Sequence, residues 1–355
     1  MKMLPVIEGM KAALPEGRHL LVHTGQHYDA EMSDVFFAEL GLPEPDVFLG
    51  VGSGPHGRQT GRALEGLEEV FERERPDAVV VAGDVNSTLA GALAAVKLQI
   101  PVAHVESGLR SFDRTMPEEV NRVLVDQISE WCFTHSPEAA DNLRREGILD
   151  ERIFFVGNTM IDTLERMAPR LETSQILERL GAEERQYVLV TLHRPSLVDG
   201  PLLEPVLDAL GDLSRTIKVV FPAHPRTRER LAAWSPPPGL VLTSPLGYVD
   251  FLALERHAAA VLTDSGGVQE ETTSLGVPCF TLRDSTERPV TIHEGTNVLL
   301  GLDPRRIAEI PRLLLRHVPH RPHGWDGKAA PRLCEILAGA LSDETERARA
   351  RSVAG

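Results

Sequence analysis

The segment Ile100-Pro-Val-Ala-His-Val-Glu-Ser-Gly-Leu-Arg-Ser-Phe-Asp-Arg-Thr-Met-Pro-Glu-Glu-Val-Asn-Arg122 decides the fold. Residues 100–105 form a short apolar run that reads as a buried strand, so Glu106 falls at its carboxyl end, where open α/β sheets bind their ligands. Gly108 permits a sharp turn. Met116-Pro-Glu-Glu has the marks of a helix start, with proline at the first position and acids in the first turn. Glu118 and Glu119 also suit plain compensation of the helix dipole, so spacing alone leaves their role open.

The same strand-then-helix rhythm extends in both directions. Apolar, β-rich runs at 19–24, 78–83, 101–105, 131–134 and 153–156 alternate with helical stretches, and a second series follows at 187–192, 217–222, 240–243, 258–263 and 278–282. This is the pattern of an α/β protein with two doubly wound, Rossmann-like domains, expected to face each other across a cleft. The polar stretch 166–185 reads as the boundary. The expected division is 1–170 for an N-terminal domain carrying the acids, 171–328 for a second domain, and 329–355 for a helix packing back across the junction plus a tail. Ser235-Pro-Pro-Pro-Gly239 reads as a rigid surface loop.

The beginning of the chain breaks the rhythm. Residues 2–14 read as an amphipathic helix, whereas a βαβ domain opens with the strand that feeds its first helix. The expectation is that this first strand is missing and that the true start lies upstream. Two neighbouring strands would then lose a ladder partner, at about 1–3 kcal/mol for each buried backbone group left unpaired.

The 355 residues, 42 % apolar and 25 % charged, suit a globular protein with two cores. A formal charge of -15 argues against nucleic acid or an anionic membrane as partner, so any anionic ligand must be held by a local pocket of arginine, histidine and helix N-termini. Cys132, Cys279 and Cys334 have no CxxC spacing, which points to reduced thiols and a cytoplasmic location. No apolar run approaches the roughly 20 residues that span a bilayer, and the start lacks signal-peptide order.

Several further segments place chemistry at strand ends. Val79-Val-Val-Ala-Gly-Asp84 directs a second carboxylate beside Glu106, and Asn86-Ser-Thr88 can cap the helix after it. Two acids on successive strands suit general acid/base work. Thr263-Asp-Ser-Gly-Gly-Val-Gln-Glu-Glu271 runs from a strand through two glycines into a helix, a plausible phosphate cradle at Ser265, Gly266 and Gly267, with Glu271 placed to accept from ribose hydroxyls. A tight βα turn explains the same glycines. Thr191-Leu-His193-Arg194 ends the first strand of the second half, and His193 suits a leaving phosphate or a proton shuttle. His224 repeats the arrangement more weakly. The absence of HExxH, of clustered Cys/His, of a calcium loop, of a Walker loop and of GxSxG leaves no metal and no cofactor expected.

Taken in order, Thr24-Gly-Gln-His-Tyr-Asp29, Gly83-Asp-Val-Asn-Ser-Thr88, His104-Val-Glu-Ser-Gly-Leu-Arg110, Met116-Pro-Glu-Glu-Val-Asn-Arg122, Gly157-Asn-Thr159, Thr191-Leu-His-Arg194, Leu262-Thr-Asp-Ser-Gly-Gly267 and Arg283-Asp-Ser-Thr-Glu-Arg-Pro289 resemble the non-hydrolysing UDP-N-acetylglucosamine 2-epimerase family. The resemblance implies the glycosyltransferase-B architecture and interconversion of UDP-GlcNAc and UDP-ManNAc by elimination and re-addition of UDP through 2-acetamidoglucal, supplying ManNAc for cell-surface polysaccharide. It puts the catalytic roles on Asp84, Glu106, Glu118 and His193. It also puts Lys2, Phe251, Ser265, Gly266, Gly267, Glu271 and Arg288 on UDP, and Gln26, Arg58 and His224 on a second, activating UDP-GlcNAc. Tyr28 and Asp29 depart from the commoner pattern there, and Ser107 stands where many members have alanine. A Gly-Thr-Arg-Pro loop that family members carry ahead of Lys2-Met-Leu-Pro is absent. A homodimer is implied. The competing readings are a truncated UDP-sugar-binding protein without activity, an inverting UDP-sugar glycosyltransferase, and a hydrolysing epimerase that releases free ManNAc.

Overall fold

A computed structural model describes residues 1–26, 39–223, 225–231, 234–315, 318 and 320–354, with the side chains of 195, 196, 225, 226 and 343–354 not described. The chain divides into two compact units, Met1–Thr163 with His323–Gly355, and Leu164–Pro322. Each has its own parallel sheet, as the strand–helix rhythm requires.

The first unit opens with α1 (Leu4–Ala13), which buries Leu4, Val6 and Met10. Strands β1 (Val22–His23) and β2 (Val47–Phe48) pair with each other. Strands β3 (Val79–Ala82), β4 (Val102–Ser107), β5 (Trp131–Thr134) and β6 (Ile153–Phe155) form a separate sheet in that order. Helices α2 (His56–Glu74) and α3 (Asn86–Lys97) share one apolar cluster with residues of β1 to β4, through Ala63, Leu67, Val81 and Val102. Against the other face, α1 and the last helix, α10 (Ala329–Ala354), join Ala103, Val105 and Phe133 through Val6, Met10, Leu333 and Leu337. Helices on both faces explain why β4 is buried along its whole length.

Helix α4 (Pro117–Ile128) follows β4 and begins at Pro117, with Met116 at the cap. Helix α5 (Pro137–Arg145) follows β5 and is capped by the Ser136 hydroxyl. Between β4 and α4 the backbone turns at Gly108, whose φ is +80°, and a Cβ there would sit 2.2 Å from the Ala139 carbonyl oxygen of α5. Gly108→Ala is therefore expected to destabilise the protein by about 3 kcal/mol, combining left-handed strain with overpacking. The urea midpoint of unfolding measures it.

In the second unit the sheet order is β12-β11-β10-β7-β8-β9, all parallel. The strands are β7 (Tyr187–Thr191), β8 (Lys218–Pro222), β9 (Leu240–Thr243), β10 (Ala260–Thr263), β11 (Cys279–Thr281) and β12 (Asn297–Leu299). The chain winds outward from β7 to β9, returns to the middle, and winds the other way from β10. The winding reverses between β7 and β10, where doubly wound sheets leave a crevice for ligands. Helices α7 (Leu203–Leu213), α8 (Tyr248–His257) and α9 (Gly266–Leu275) are among those covering this sheet, and α6 (Ile176–Arg179) is a single turn preceding it.

Three expectations are corrected. Strands β2 and β12 were not foreseen, and the last helix runs to Ala354, taking in the residues read as a tail. Asn86, Ser87 and Thr88 do not cap α3; Val85 occupies the cap position without a side-chain bond, and the three residues lie inside the first turn. The Gln26 carboxamide caps the helix instead, its oxygen accepting from the Ser87 N–H at 2.8 Å. Among the described residues, no helix is long and apolar enough to cross a membrane.

Candidate active site

Glu106 is the penultimate residue of β4, and its backbone sits at φ +70°, a conformation rare outside glycine, asparagine and aspartate. The ladder to β5 shifts register at this point, between Val105 and Ser107. A strained backbone of this kind costs about 1–3 kcal/mol and turns the side chain out of the pleat. Its carboxylate pairs with the Lys2 ammonium just ahead of α1. One carboxylate oxygen lies 3.5 Å from where a Cβ on Gly83 would stand, an ordinary contact distance that sets Glu106 against the end of β3. Glu106 and Lys2 also line a small cavity at the carboxyl ends of β4, β5 and β6, with His135 and Asn158 on its wall.

Asp84 follows Gly83 and is held from α4. The Arg122 guanidinium reaches its Oδ2 through Nε at 2.9 Å and Nη2 at 2.7 Å, and Asn121 donates to its carbonyl at 2.8 Å. The first-turn acids of α4 separate into two kinds. Glu119 is buried, accepts from the Ser111 and Phe112 N–H groups at 2.9 and 2.8 Å, and pairs with Arg122, so it ties down the loop after Glu106. Glu118 is half-buried, and among the described residues no hydrogen bond or ion pair engages it. The first unit thus presents Asp84, Glu106 and Glu118 at neighbouring segment ends, with Arg122 and Lys2 as their cations.

In the second unit His193 follows β7 and Ser265 follows β10, the two strands at the reversal. Asp264 between them is fully buried. It lies 2.9 Å from His193 Nδ1 and accepts from the backbone N–H of His193 at 3.0 Å and of Arg194 at 2.8 Å. Burial is the largest influence and would raise the Asp264 carboxyl, but the bond and charge of His193 together with the backbone N–H groups of Arg194 and His193 hold it below the usual carboxylate value. A carboxylate only accepts, so Nδ1 carries a proton, and the half-exposed ring leaves Nε2 as the nitrogen that Asp264 does not engage.

Helix α9 starts at Gly266 without a side-chain cap at Ser265, leaving its first N–H groups open to an anion. A Cβ on Gly266 would meet Arg288 Nη1 at 2.5 Å, so glycine is what admits the guanidinium to the helix start. Arg288 is itself buried against Glu270 and Glu287. Burial, then the neighbouring charge of Arg283, lowers Arg194 from its ordinary value, which marks a concentration of positive charge beside Asp264. Phe251, on α8, is half-buried.

Glu271 is buried in α9 and accepts from the Tyr248 hydroxyl at 2.8 Å. Burial pushes its carboxyl up to about 7 against the lowering effect of that bond. Glu255, two turns along α8 from Tyr248, is fully buried, and neither of its oxygens has a hydrogen-bond partner among the described residues. Burial, and then the charge of Glu271, lifts it well above its usual value of 4.5. Both folded values are raised, so the folded protein binds these protons more tightly than the unfolded chain. The contribution of this pair to stability is therefore full below about pH 4.5 and is lost as the pH rises through 7. Glu255→Leu is expected to flatten that decline and to stabilise the protein by about 1–2 kcal/mol at pH 7.5. Urea unfolding at pH 5 and 7.5 checks it.

Gln26 is buried and spends its side chain on α3, with Ser87 N and Oγ, while its carbonyl accepts from Gln59 at 3.1 Å. Arg58, the neighbour of Gln59 on α2, is exposed. His224, with Tyr28 and Asp29, lies outside the described residues. The pairings of Asp264 with His193, of Arg122 with Asp84 and of Lys2 with Glu106 were not foreseen. The only sequence signal for them was their position inside segments already singled out.

The chain matches the family model described as UDP-N-acetylglucosamine 2-epimerase over residues 12–338. It is 42 % identical to the UDP-N-acetylglucosamine 2-epimerase of Methanococcus maripaludis, over 95 % of each chain. It is also 42 % identical to the UDP-2,3-diacetamido-2,3-dideoxy-D-glucuronate 2-epimerase of Pseudomonas aeruginosa, over 90 % of this chain and 91 % of that one. The crystal structure of the Methanocaldococcus jannaschii UDP-GlcNAc 2-epimerase in complex with UDP-GlcNAc and UDP superposes with a TM-score of 0.85 at 41 % identity, over 95 % of each chain.

Proposed function

This chain belongs to the UDP-N-acetylglucosamine 2-epimerase family, and on that premise we propose that it is an isomerase interconverting UDP-GlcNAc and UDP-ManNAc. The observation that carries the reading is the set of three acids at adjacent segment ends of the first unit, Asp84, Glu106 and Glu118, two of them supported by a cation. The C2 proton of the sugar is weakly acidic, leaves from one face and returns to the other, so one base does not serve both directions. Elimination breaks the C2–H and C1–O bonds and gives 2-acetamidoglucal and UDP. Re-addition of UDP at C1, with protonation of C2 on the opposite face, gives the epimer.

Charge accumulates on the β-phosphate as UDP leaves. His193, oriented by Asp264, the start of α9 at Ser265, Gly266 and Gly267, and the charge around Arg194 and Arg288 suit its stabilisation. Phe251 and Glu271 are assigned to the nucleoside, and Lys2 to the nucleotide once substrate competes for its contact with Glu106. Gln26, Arg58 and His224 are assigned to a second UDP-GlcNAc. The protein is proposed to act as a cytoplasmic homodimer, with residues 1–170, 171–328 and 329–355 as its functional divisions.

Incubation with UDP-GlcNAc followed by chromatography is expected to give UDP-ManNAc with no net release of UDP or free sugar. Net release would identify the hydrolysing reaction, and transfer to an added acceptor the glycosyltransferase. The equal identity to the Pseudomonas aeruginosa enzyme favours one second reading, a UDP-diacetamido uronate as substrate, and the same assay with that nucleotide separates the two.

A further inference from the structure

His104 lies at the centre of β4, fully buried, and both ring nitrogens are engaged. Nε2 is 2.8 Å from the carbonyl of Gly83, the residue before Asp84, and Nδ1 is 2.7 Å from Asp126 Oδ1 near the end of α4. A carbonyl only accepts, so Nε2 carries a hydrogen. The second Asp126 oxygen accepts from the Gly108 N–H at 3.1 Å and pairs with Arg110 at 2.7 Å, and Arg110 continues to Glu146. Burial would raise the Asp126 carboxyl, but the charges and hydrogen bonds of His104 and Arg110 hold it below its usual value. Asp126 is thus held on one oxygen by the His104 ring and on the other by the Gly108 N–H and Arg110, so the buried carboxylate is fully partnered.

We propose that His104, clamped between the Gly83 carbonyl and Asp126, is a positioning residue that fixes the spacing of Asp84, Glu106 and the helix bearing Glu118. One ring joins three segments: the Gly83 carbonyl at the end of β3, the β4 backbone two residues before Glu106, and α4 through Asp126. Asp126 extends the clamp to Gly108, so the left-handed turn holding Glu106 is fixed from both sides. The proposal rests on the epimerase reading for its effect on turnover.

Two substitutions separate positioning from mere stability. His104→Asn keeps a donor where Nδ1 was and drops the Gly83 bond; His104→Gln keeps a donor where Nε2 was and drops the Asp126 bond. Losing the partner of a buried carboxylate costs more than losing that of a carbonyl, so the Gln variant should be the less stable of the two. Turnover should run the other way. In the full chain with UDP-GlcNAc, His104→Asn is expected to lower kcat about 100-fold with KM within about 3-fold, and His104→Gln to recover about 10-fold of that.

Amide hydrogen exchange is measured in parallel on segments 83–87 and 106–111. It is expected to rise at 83–87 in the Asn variant, which loses the Gly83 bond, and at 106–111 in the Gln variant, which loses the Asp126 bond. Turnover that tracks stability, with Asn more active than Gln, or a kcat for His104→Asn within about 3-fold of wild type, overturns the proposal. Should the wild-type chain prove inactive on UDP-GlcNAc, the functional reading fails and exchange decides alone. Unchanged exchange at 83–87 in His104→Asn then overturns the clamp, and a rise there that His104→Gln reverses supports it.

Discussion

Glu106→Gln is expected to lower the rate of exchange at the sugar C2 by about 1,000-fold, within the range that general acid/base groups contribute, with UDP affinity changed only a few-fold. The amide matches the carboxylate in shape, so the φ +70° turn and the packing against Gly83 persist. What is lost is the capacity to take a proton, together with the charge that pairs with Lys2. Asp84→Asn is a weaker test, because Arg122 would lose the anion it faces at 2.7 Å and the defect would mix chemistry with displaced backbone. Glu106 pairs instead with Lys2, ahead of α1. Isotope exchange at C2, read by NMR, and UDP binding, read by calorimetry, together separate lost chemistry from lost binding.

The second large effect is expected in the other unit. His193→Ala should reduce kcat by between about 100-fold and 1,000-fold, the size of removing one group that stabilises developing charge. Asp264→Asn should reproduce much of it while leaving the backbone contacts in place, since the Asn oxygen still accepts from the N–H groups of His193 and Arg194. The carboxylate fixes which ring nitrogen of His193 carries the proton, and an amide in its place no longer enforces that choice. Steady-state kinetics on both variants, with KM for UDP-GlcNAc expected to move less than kcat, checks the pair.

Much of this was legible in the sequence, and for a definite reason. The β-rich runs behind β3, β4, β5, β7 and β10 are continuous because those strands are covered on both faces, and a continuous run ending in Gly-Asp, Glu-Ser-Gly or Asp-Ser-Gly-Gly marks a strand end unambiguously. β2 and β12 are only two and three residues long, too short for any period to register. The two acids Glu118 and Glu119 look alike in sequence. Only the fold shows that Glu119 faces the Ser111 and Phe112 amides while Glu118 does not.

The capping expectation for Asn86, Ser87 and Thr88 failed because a residue distant in sequence, Gln26, reaches the first turn of α3 and removes the need for a local cap. Asp264 was passed over because its role depends on a neighbour brought in by parallel pairing. Thr263 lies opposite Thr191 in the ladder, and that register sets Asp264 against His193. Register between strands about 70 residues apart is a tertiary property, beyond what local patterning encodes.

The central claim is that this chain makes and breaks the C2–H bond of a UDP-sugar. The most direct measurement is incubation with UDP-GlcNAc in heavy water, following deuterium at C2 and the appearance of UDP-ManNAc by NMR. The account predicts that the UDP-ManNAc formed carries deuterium at C2, that recovered UDP-GlcNAc acquires it as well, and that UDP does not accumulate. A folded protein that binds UDP but leaves C2 protonated, with no UDP-ManNAc formed, would contradict it.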